Sequence, residues 1–336
     1  VAVAERPPPP RQAVDKRRYF TKRILNALLT IVLVASFNFV LFNILPGNPA
    51  RLLLPKGRFQ ADMIQKQMHA FHLDQPLWKQ FAYYWVDTPQ LKFGYSWKEK
   101  LPVTQVVGER IWPTVLLVGT GTLLATIIGF VTGVFAGWRR NSTYDLLSTN
   151  TSMVLYSMPT FWVAMLFIMF FSVDLGWFPV GKMQTPGIVY SSWFAELTDI
   201  LHHLILPALM FAITYAGEYH LIMRSSLTGV MKEDFVLTAR AKGLSDDKVL
   251  WGHVVPNALL PSVTLIMMNF GFVLSGAILV ETVFDWPGLG LLSWESLSNR
   301  DFPVLRAVFL LGAVAVILFN LIADIMYYYL DPRVKA

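Results

Sequence analysis

Glu218, His220 and Arg224 lie within one otherwise apolar stretch, and Asp324 lies within another. An ionisable group set in hydrocarbon is costly unless it faces a cavity, a partner or the interface, so these positions mark where chemistry or transport would concentrate. Glu218 with His220 is open to reading as a proton relay. Glu218 alone is equally open to lining a path, together with Asn269, or to bonding another helix. Arg224 is badly placed to pair with Glu218 along one helix, where seven residues, as from Glu218 to Ser225, return to the same face. It reads as a cation snorkelling to the interface, and Asp324, near the end of its stretch, reads as structural. His202 and His203 are adjacent, so they diverge on a helix, and no third ligand accompanies them at zinc spacing.

The sequence contains no Gly-x-x-x-x-Gly-Lys-Ser/Thr phosphate loop, no His-Glu-x-x-His and no Gly-x-Ser-x-Gly. It also contains no cysteine, which excludes thiol catalysis, disulfides and thiolate metal sites. No enzyme activity, metal or cofactor is expected of this chain by itself.

The densest signal is the charged stretch 233–261 between two long apolar segments. Glu233 and Asp234 stand where a helix would begin, Arg240 and Lys242 where it would end, and Gly243 suits a left-handed C-terminal cap. Phe235, Thr238, Ala239 and Lys242 fall on one face at i, i+3, i+4 and i+7. Ser245-Asp246-Asp247 reads as the N-cap and first turn of the next helix, in which Pro256 and Pro261 predict bends. The cationic end, Arg240 and Lys242, fits contact with an acidic partner as well as plain compensation of the helix dipole.

The elements that must hold these residues follow from composition. Of 336 residues, 54% are hydrophobic and 15% charged, and the mean hydropathy is +0.48, which makes the bilayer the solvent. Six apolar stretches, 24–45, 113–138, 146–173, 203–223, 257–280 and 304–329, are each long enough to cross the hydrocarbon, and backbone in lipid must be helical. The expected fold is an all-α polytopic membrane protein with six transmembrane helices.

Basic residues crowd the N-terminal tail (Arg6, Arg11, Lys16, Arg17, Arg18, Lys22, Arg23), the second-to-third connection (Arg139, Arg140), the fourth-to-fifth connection (Arg224, Lys232, Arg240, Lys242, Lys248) and the C-terminus (Arg333, Lys335). Both termini are therefore expected in the cytoplasm, and the net charge of +6 is topological, resting on acidic lipid without any nucleic-acid partner. Residues 1–23, with Pro7 to Pro10, read as a disordered cytoplasmic tail. Segment 24–110 reads as the first span with its outer loop, 111–330 as the core, and 331–336 as a cytoplasmic C-terminus. In the outer loop, 61–71 and 76–85 have helical periodicity, and Trp78, Tyr83, Tyr84, Trp85, Tyr95, Trp97 and Trp112 read as an interfacial belt or a docking surface. Gly129, Gly133 and Gly137 form a small-residue ridge for close packing against another helix of this chain or a second subunit.

Thr238-Ala239-Arg240-Ala241-Lys242-Gly243, followed after nine residues by His253-Val254-Val255-Pro256, resembles the EAA loop of ABC importer permeases. Leu237, Thr238 and Ala239 stand at the Glu-Ala-Ala positions, and Ala239, Gly243 and Pro256 match the general pattern. The wording is similar to the dipeptide, oligopeptide and nickel branch. Leu45-Pro46-Gly47-Asn48-Pro49-Ala50, Leu73-Asp74-Gln75-Pro76-Leu77, Phe93-Gly94-Tyr95-Ser96, Glu281-Thr282-Val283-Phe284-Asp285-Trp286-Pro287-Gly288-Leu289-Gly290 and Leu330-Asp331-Pro332-Arg333 resemble, in order, the first of the two permeases in such systems.

The resemblance implies a type I ABC importer transmembrane domain in the cytoplasmic membrane of a prokaryote, moving a peptide inward by alternating access. Its implied partners are a second permease, two ATP-binding subunits that hold ATP and Mg, and an extracytoplasmic solute-binding protein. Residues 235–243 would be the coupling helix, with Phe235, Thr238, Ala239, Arg240, Lys242, Gly243 and Pro256 as its working residues. By position and aromatic content, Phe284 and Trp286 read as lining the path or its outer gate, with an ordinary interfacial turn equally open. Nickel chelates, opines and oligosaccharides are alternative cargoes in the same family, and an ion-coupled transporter built on Glu218 and His220 is the competing class.

Overall fold

The computed structural model describes residues 16–44, 75–273 and 277–330. The expected outer helix 61–71, the motif stretch 45–50, Leu73 and Asp74, the tail before Lys16 and the C-terminal segment 331–336 fall wholly or partly outside the described residues.

Helix α1 (Lys16–Ile44) begins ahead of the apolar stretch, so residues 16–23 are helical and not part of a disordered tail. Composition marked where hydrocarbon starts, but Lys, Arg and Tyr are adequate helix formers and the helix continues into water. A short helix, α2 (Leu77–Asp87), leads through a 3-10 turn to α3 (Val103–Trp138). At 36 residues α3 is about 54 Å long and carries Pro113 in its interior, where the sequence reading placed a boundary.

The third apolar stretch is not one crossing helix. Helices α4 (Thr143–Ser157) and α5 (Thr160–Phe167), the latter extended by a π-helical turn over Ile168–Asp174, meet at 99°. The cause is Pro159: the residue before a proline is pushed out of the helical region, and Met158 sits at φ −74, ψ 140. Helix α6 (Trp193–Val230), capped by the Ser192 hydroxyl accepting from the Ala195 amide, is followed by α7 (Asp234–Ala241) and α8 (Asp246–Val249). A π turn, Leu250–Val254, then enters α9 (Val255–Val273). Helices α10 (Ile278–Val283), α11 (Leu289–Ser298) and α12 (Phe302–Leu330) complete the chain.

Among the described residues, four helices are long and apolar enough to cross a membrane, within α1, α3, α6 and α12, and the bent α4–α5 pair makes a fifth if it is one span. The fifth stretch of the sequence reading, 257–280, corresponds to α9, beyond which 274–276 lie outside the described residues.

The core is built on the α3–α6 contact. A Cβ added at Gly129 would lie 2.4 Å from the Tyr219 Cβ, one at Gly133 2.7 Å from the His220 carbonyl, and one at Gly137 2.9 Å from Leu227. The glycine ridge therefore serves an intrachain contact with α6. On its other side α6 brings Gly217 against the Ser152 carbonyl of α4.

Helix α1 is held on α12 by an Arg23–Asp324 ion pair of 3.2 Å and by the Tyr19 hydroxyl donating to the Asp324 carbonyl. Tyr84 leaves the expected aromatic belt: it is buried against Ala35, Phe39 and Leu310, with the Arg306 guanidinium 4.3 Å from its ring centre. Trp78 and Trp112, by contrast, are exposed as a belt requires. The motif Phe93–Ser96 has a structural reason, since buried Asp301 accepts from the Ser96 hydroxyl (2.5 Å) and the Trp97 and Lys98 amides, fixing this turn at the start of α12.

Candidate functional site

Helix α7 has the expected ends. Glu233 is extended at the N-cap, Asp234 and Arg240 occupy the first and last turns, and Gly243 follows at φ +76, the left-handed conformation that glycine adopts without a Cβ penalty. Its faces differ from the expected ones. Val236 and Ala239 are buried in a cluster with Val134 of α3, Met223 and Leu227 of α6, and Val249, Leu250 and Val254 of the following turns. Phe235, Leu237, Thr238, Arg240 and Lys242 point outward, Leu237 at 61% exposure.

Ala239 therefore anchors α7 to its own chain and is not on the free face that held it in the sequence reading. Two overlapping i, i+3 patterns were available, and the one with the β-branched Val236 is buried, in the cluster that holds Val249, Leu250 and Val254. Leu237 was the residue missed; it lies on the exposed arc, about 100° round the helix from Val236 and about 160° from Ala239. Arg240 is already engaged within the chain, its guanidinium 5.4 Å from the Trp138 ring and 3.9 Å from the Asp246 carboxylate. Pro256 is exposed just after the π turn, where the Val255 amide donates to Leu250 and a widened turn accommodates the missing proline donor.

A buried polar network stands directly behind this cluster. Asp145, wholly buried near the start of α4, takes both Nε and Nη2 of Arg224, the Asn141 amide at 2.9 Å and the Thr149 hydroxyl at 3.3 Å. His220, also wholly buried, sits with Nδ1 3.0 Å from the Thr132 hydroxyl and Nε2 3.3 Å from that of Thr149. Arg224 is thus an ion-paired joint between α4 and α6, where the sequence reading had it snorkelling. The available signal was Ser142-x-x-Asp145, a capping box that sets an acid at the mouth of α4, with the Ser142 hydroxyl accepting from the Asp145 amide at 3.2 Å.

Glu218 points elsewhere. It is partly exposed and hydrogen-bonded to Asn269 of α9, whose Nδ2 also donates to the Tyr219 hydroxyl at 2.9 Å. Residues two apart on a helix diverge by about 200°, so Glu218 faces α9 while His220 faces α3 and α4. The geometry gives the relay reading no contact to rest on. His202 and His203 bond the Trp177 and Asp199 carbonyls, and among the described residues no group of three acids or histidines could hold a metal.

The segment 281–290 is a folded unit. Glu281 is wholly buried, one oxygen accepting from Thr114 of α3 (3.0 Å) and the Ala277 amide, the other from the Gly290 (2.7 Å) and Leu291 amides at the start of α11. Burial pushes its pKa up, against the pull of those four donors. The Trp286 indole donates to the Pro113 carbonyl at 2.8 Å, and Phe284 and Trp286 are both fully packed in the core with Leu117, Phe211 and Val280. They were expected to line a gate; the structure instead places both in the interior, because the Glu281 staple turns the whole loop inward.

Glu281→Gln tests this arrangement. The amide would aim an NH2 group at a pair of donors that an oxygen now serves, costing about 1–3 kcal/mol despite the near-identical shape. The midpoint of thermal denaturation in detergent should fall, with faster amide exchange at 288–292. An unchanged midpoint would show that the staple is dispensable.

Comparison with known proteins places these features in context. The family described as "Binding-protein-dependent transport system inner membrane component" matches residues 129–336, and its N-terminal companion, "Binding-prot-dependent transport system membrane comp, N-term", matches 17–118. The glutathione transport system permease protein GsiC of Escherichia coli strain K12 is 37% identical over 318 residues, covering 94% of this chain and 98% of that protein. The proteins of the same name from Shigella dysenteriae and Salmonella typhimurium give the same 37% over the same shares.

Proposed function

Because this chain belongs to the family of binding-protein-dependent transport system inner membrane components and is a permease component of an ABC importer, we propose that its cargo is a peptide, drawn inward by alternating access. Glutathione, the solute in the names of the relatives, is itself a tripeptide, and that supports a small peptide here. Membership of such an importer brings ATPase and solute-binding-protein partners. In our reading they are two ATP-binding subunits holding ATP and Mg, a second permease like this one, and an extracytoplasmic binding protein. ATP hydrolysis then belongs to the partners, and this chain catalyses no reaction of its own.

The observation that carries the mechanism is the division of α7. Phe235, Leu237 and Thr238 present an exposed, partly apolar face, while Val236 and Ala239 are fused to the ends of α3 and α6. A short helix with one face free and the other welded to two spans is suited to passing a push into the membrane. We assign it as the coupling helix, with Arg240 stiffening its seat on Trp138 and Lys242 left for the ATPase. Glu218 and Asn269 are assigned to the solute path.

Gly243→Trp tests the coupling. No atom lies within 4 Å of a Cβ placed at Gly243, so the indole would extend into the docking space and disturb this chain only by the strain of its positive φ, about 1–2 kcal/mol. The complex should remain inserted and hydrolyse ATP, while uptake per ATP falls about 5- to 150-fold, the span of ordinary coupling energies. Gly243→Ala, which carries the strain without the bulk, should keep most of its uptake. Coupled transport by the tryptophan variant would overturn the assignment.

A further inference from the structure

We propose that Glu218 is a selectivity residue of the path, a carboxylate that receives the protonated α-amino group of the passing peptide and favours it over an N-acylated one; this rests on the peptide-permease reading above. Four observations converge on it. Glu218 lies six residues before Arg224 on α6, about 9 Å further into the span at 1.5 Å per residue. It is partly exposed there, and a carboxylate at that depth cannot face lipid cheaply, so it faces water or a partner.

No cation pairs with it among the described residues, since Arg224 is held by Asp145 on another face. The charge is therefore uncompensated among the described residues. Asn269 holds the carboxylate in place and is itself fixed by the Tyr219 hydroxyl, so the acceptor is preorganised without being neutralised.

Aromatic rings flank the position. Tyr215 stands one turn away on α6, stacked on Phe211 with ring centres 4.3 Å apart, and Tyr156 of α4, 47% exposed, borders the adjacent Gly217. A carboxylate with tyrosine side chains close by suits a primary ammonium group. The carboxylate accepts its charge-assisted hydrogen bonds, and the ring quadrupoles supply attraction without a second full charge. A single acid suits passage, because one such contact orients an ammonium group without trapping it. An acylated nitrogen offers one neutral donor and would gain none of the charge term.

The experiment uses the complete importer in proteoliposomes with its binding protein saturating, and glutathione and trialanine as probes, each with a free and an N-acetylated amino group. Because the same binding protein serves every variant, the comparison is between variants for one solute. Glu218→Gln keeps the hydrogen-bonding shape toward Asn269. It should lower the maximal uptake of free-amine peptides on the order of ten-fold, leave the apparent KM and the assembly of the complex unchanged, and leave any acetyl-peptide uptake intact. Glu218→Asp, which keeps the charge, should restore much of the rate. Equal loss in the Gln and Asp variants, or equal loss for free and acetylated peptides, would overturn the proposal in favour of a purely structural tie to α9. Wild-type complex that imports neither peptide form would instead overturn the peptide reading itself, and this assignment with it.

Discussion

Gly129→Val should abolish stable folding of this chain, while the same replacement at Gly119, ten residues earlier on α3, should be tolerated. At Gly119 an added Cβ meets nothing within 4 Å; at Gly129 it would lie 2.4 Å from the Tyr219 Cβ, 2.5 Å from the Ala216 carbonyl and 2.9 Å from the His220 amide. Two of these three neighbours are backbone, so no rotamer change relieves them and α6 must move bodily away from α3.

That movement would not stay local. Gly133 and Gly137 rely on the same close approach, and the Thr132–His220 contact and the Asp145–Arg224 pair sit beside it. Overpacking a core commonly costs about 1–3 kcal/mol, and a clash against helix backbone at a chain's principal contact belongs above that range. The check is the yield of monodisperse protein in detergent and its thermal midpoint for both variants. A Gly129→Val protein as stable as the Gly119→Val one would mean that α3 and α6 do not meet as described.

What was legible in the sequence was what solvent and backbone geometry dictate. Lipid forces helices, so the apolar stretches emerged. Glycines four apart can only mean close approach, so the ridge emerged, though its partner required coordinates. The caps of α7 emerged because Asp234, Arg240 and Gly243 each have a position-specific electrostatic or conformational reason to be there.

What escaped depended on contacts across long sequence separations. Asp145 and Arg224 are 79 residues apart, and nothing local to either names the other. Arg306 was overlooked in an apolar stretch because its compensation is the ring of Tyr84, which composition had assigned to an interfacial belt. The inner face of α7 was misjudged because periodicity gives the spacing of a buried stripe and not its phase; the phase is set by Leu250 and Val254, which lie on another element. The break at Met158-Pro159 was visible to the proline rule, yet unbroken hydropathy across it gave the appearance of a single span.

Asp145→Ala should destabilise the chain by about 3–5 kcal/mol, toward the lower figure because the Arg224 side chain retains 28% exposure and water can partly replace the lost partner. The carboxylate serves four roles together: it neutralises Arg224, orients its Nε and Nη2, accepts from Asn141 and Thr149, and completes the capping box at the mouth of α4. Its removal leaves a cation between three helices with no acid to face, and breaking one side of a buried pair costs more than the pair contributes. The double variant Asp145→Leu with Arg224→Leu should therefore be more stable than Asp145→Ala, although it removes twice as many polar side chains. Thermal midpoints of wild type, Asp145→Leu, Arg224→Leu and the double Leu variant decide the matter through the coupling term of the cycle. If the double variant is no better than the singles, the pair is not an isolated charge couple, and the energy resides in the hydrogen bonds that Asp145 makes to Asn141 and Thr149. Because Arg224 lies about one turn from Leu227, and Leu227 packs in the cluster that seats α7, the angle of α4 on α6 is set beside the point where a push on α7 would enter the membrane.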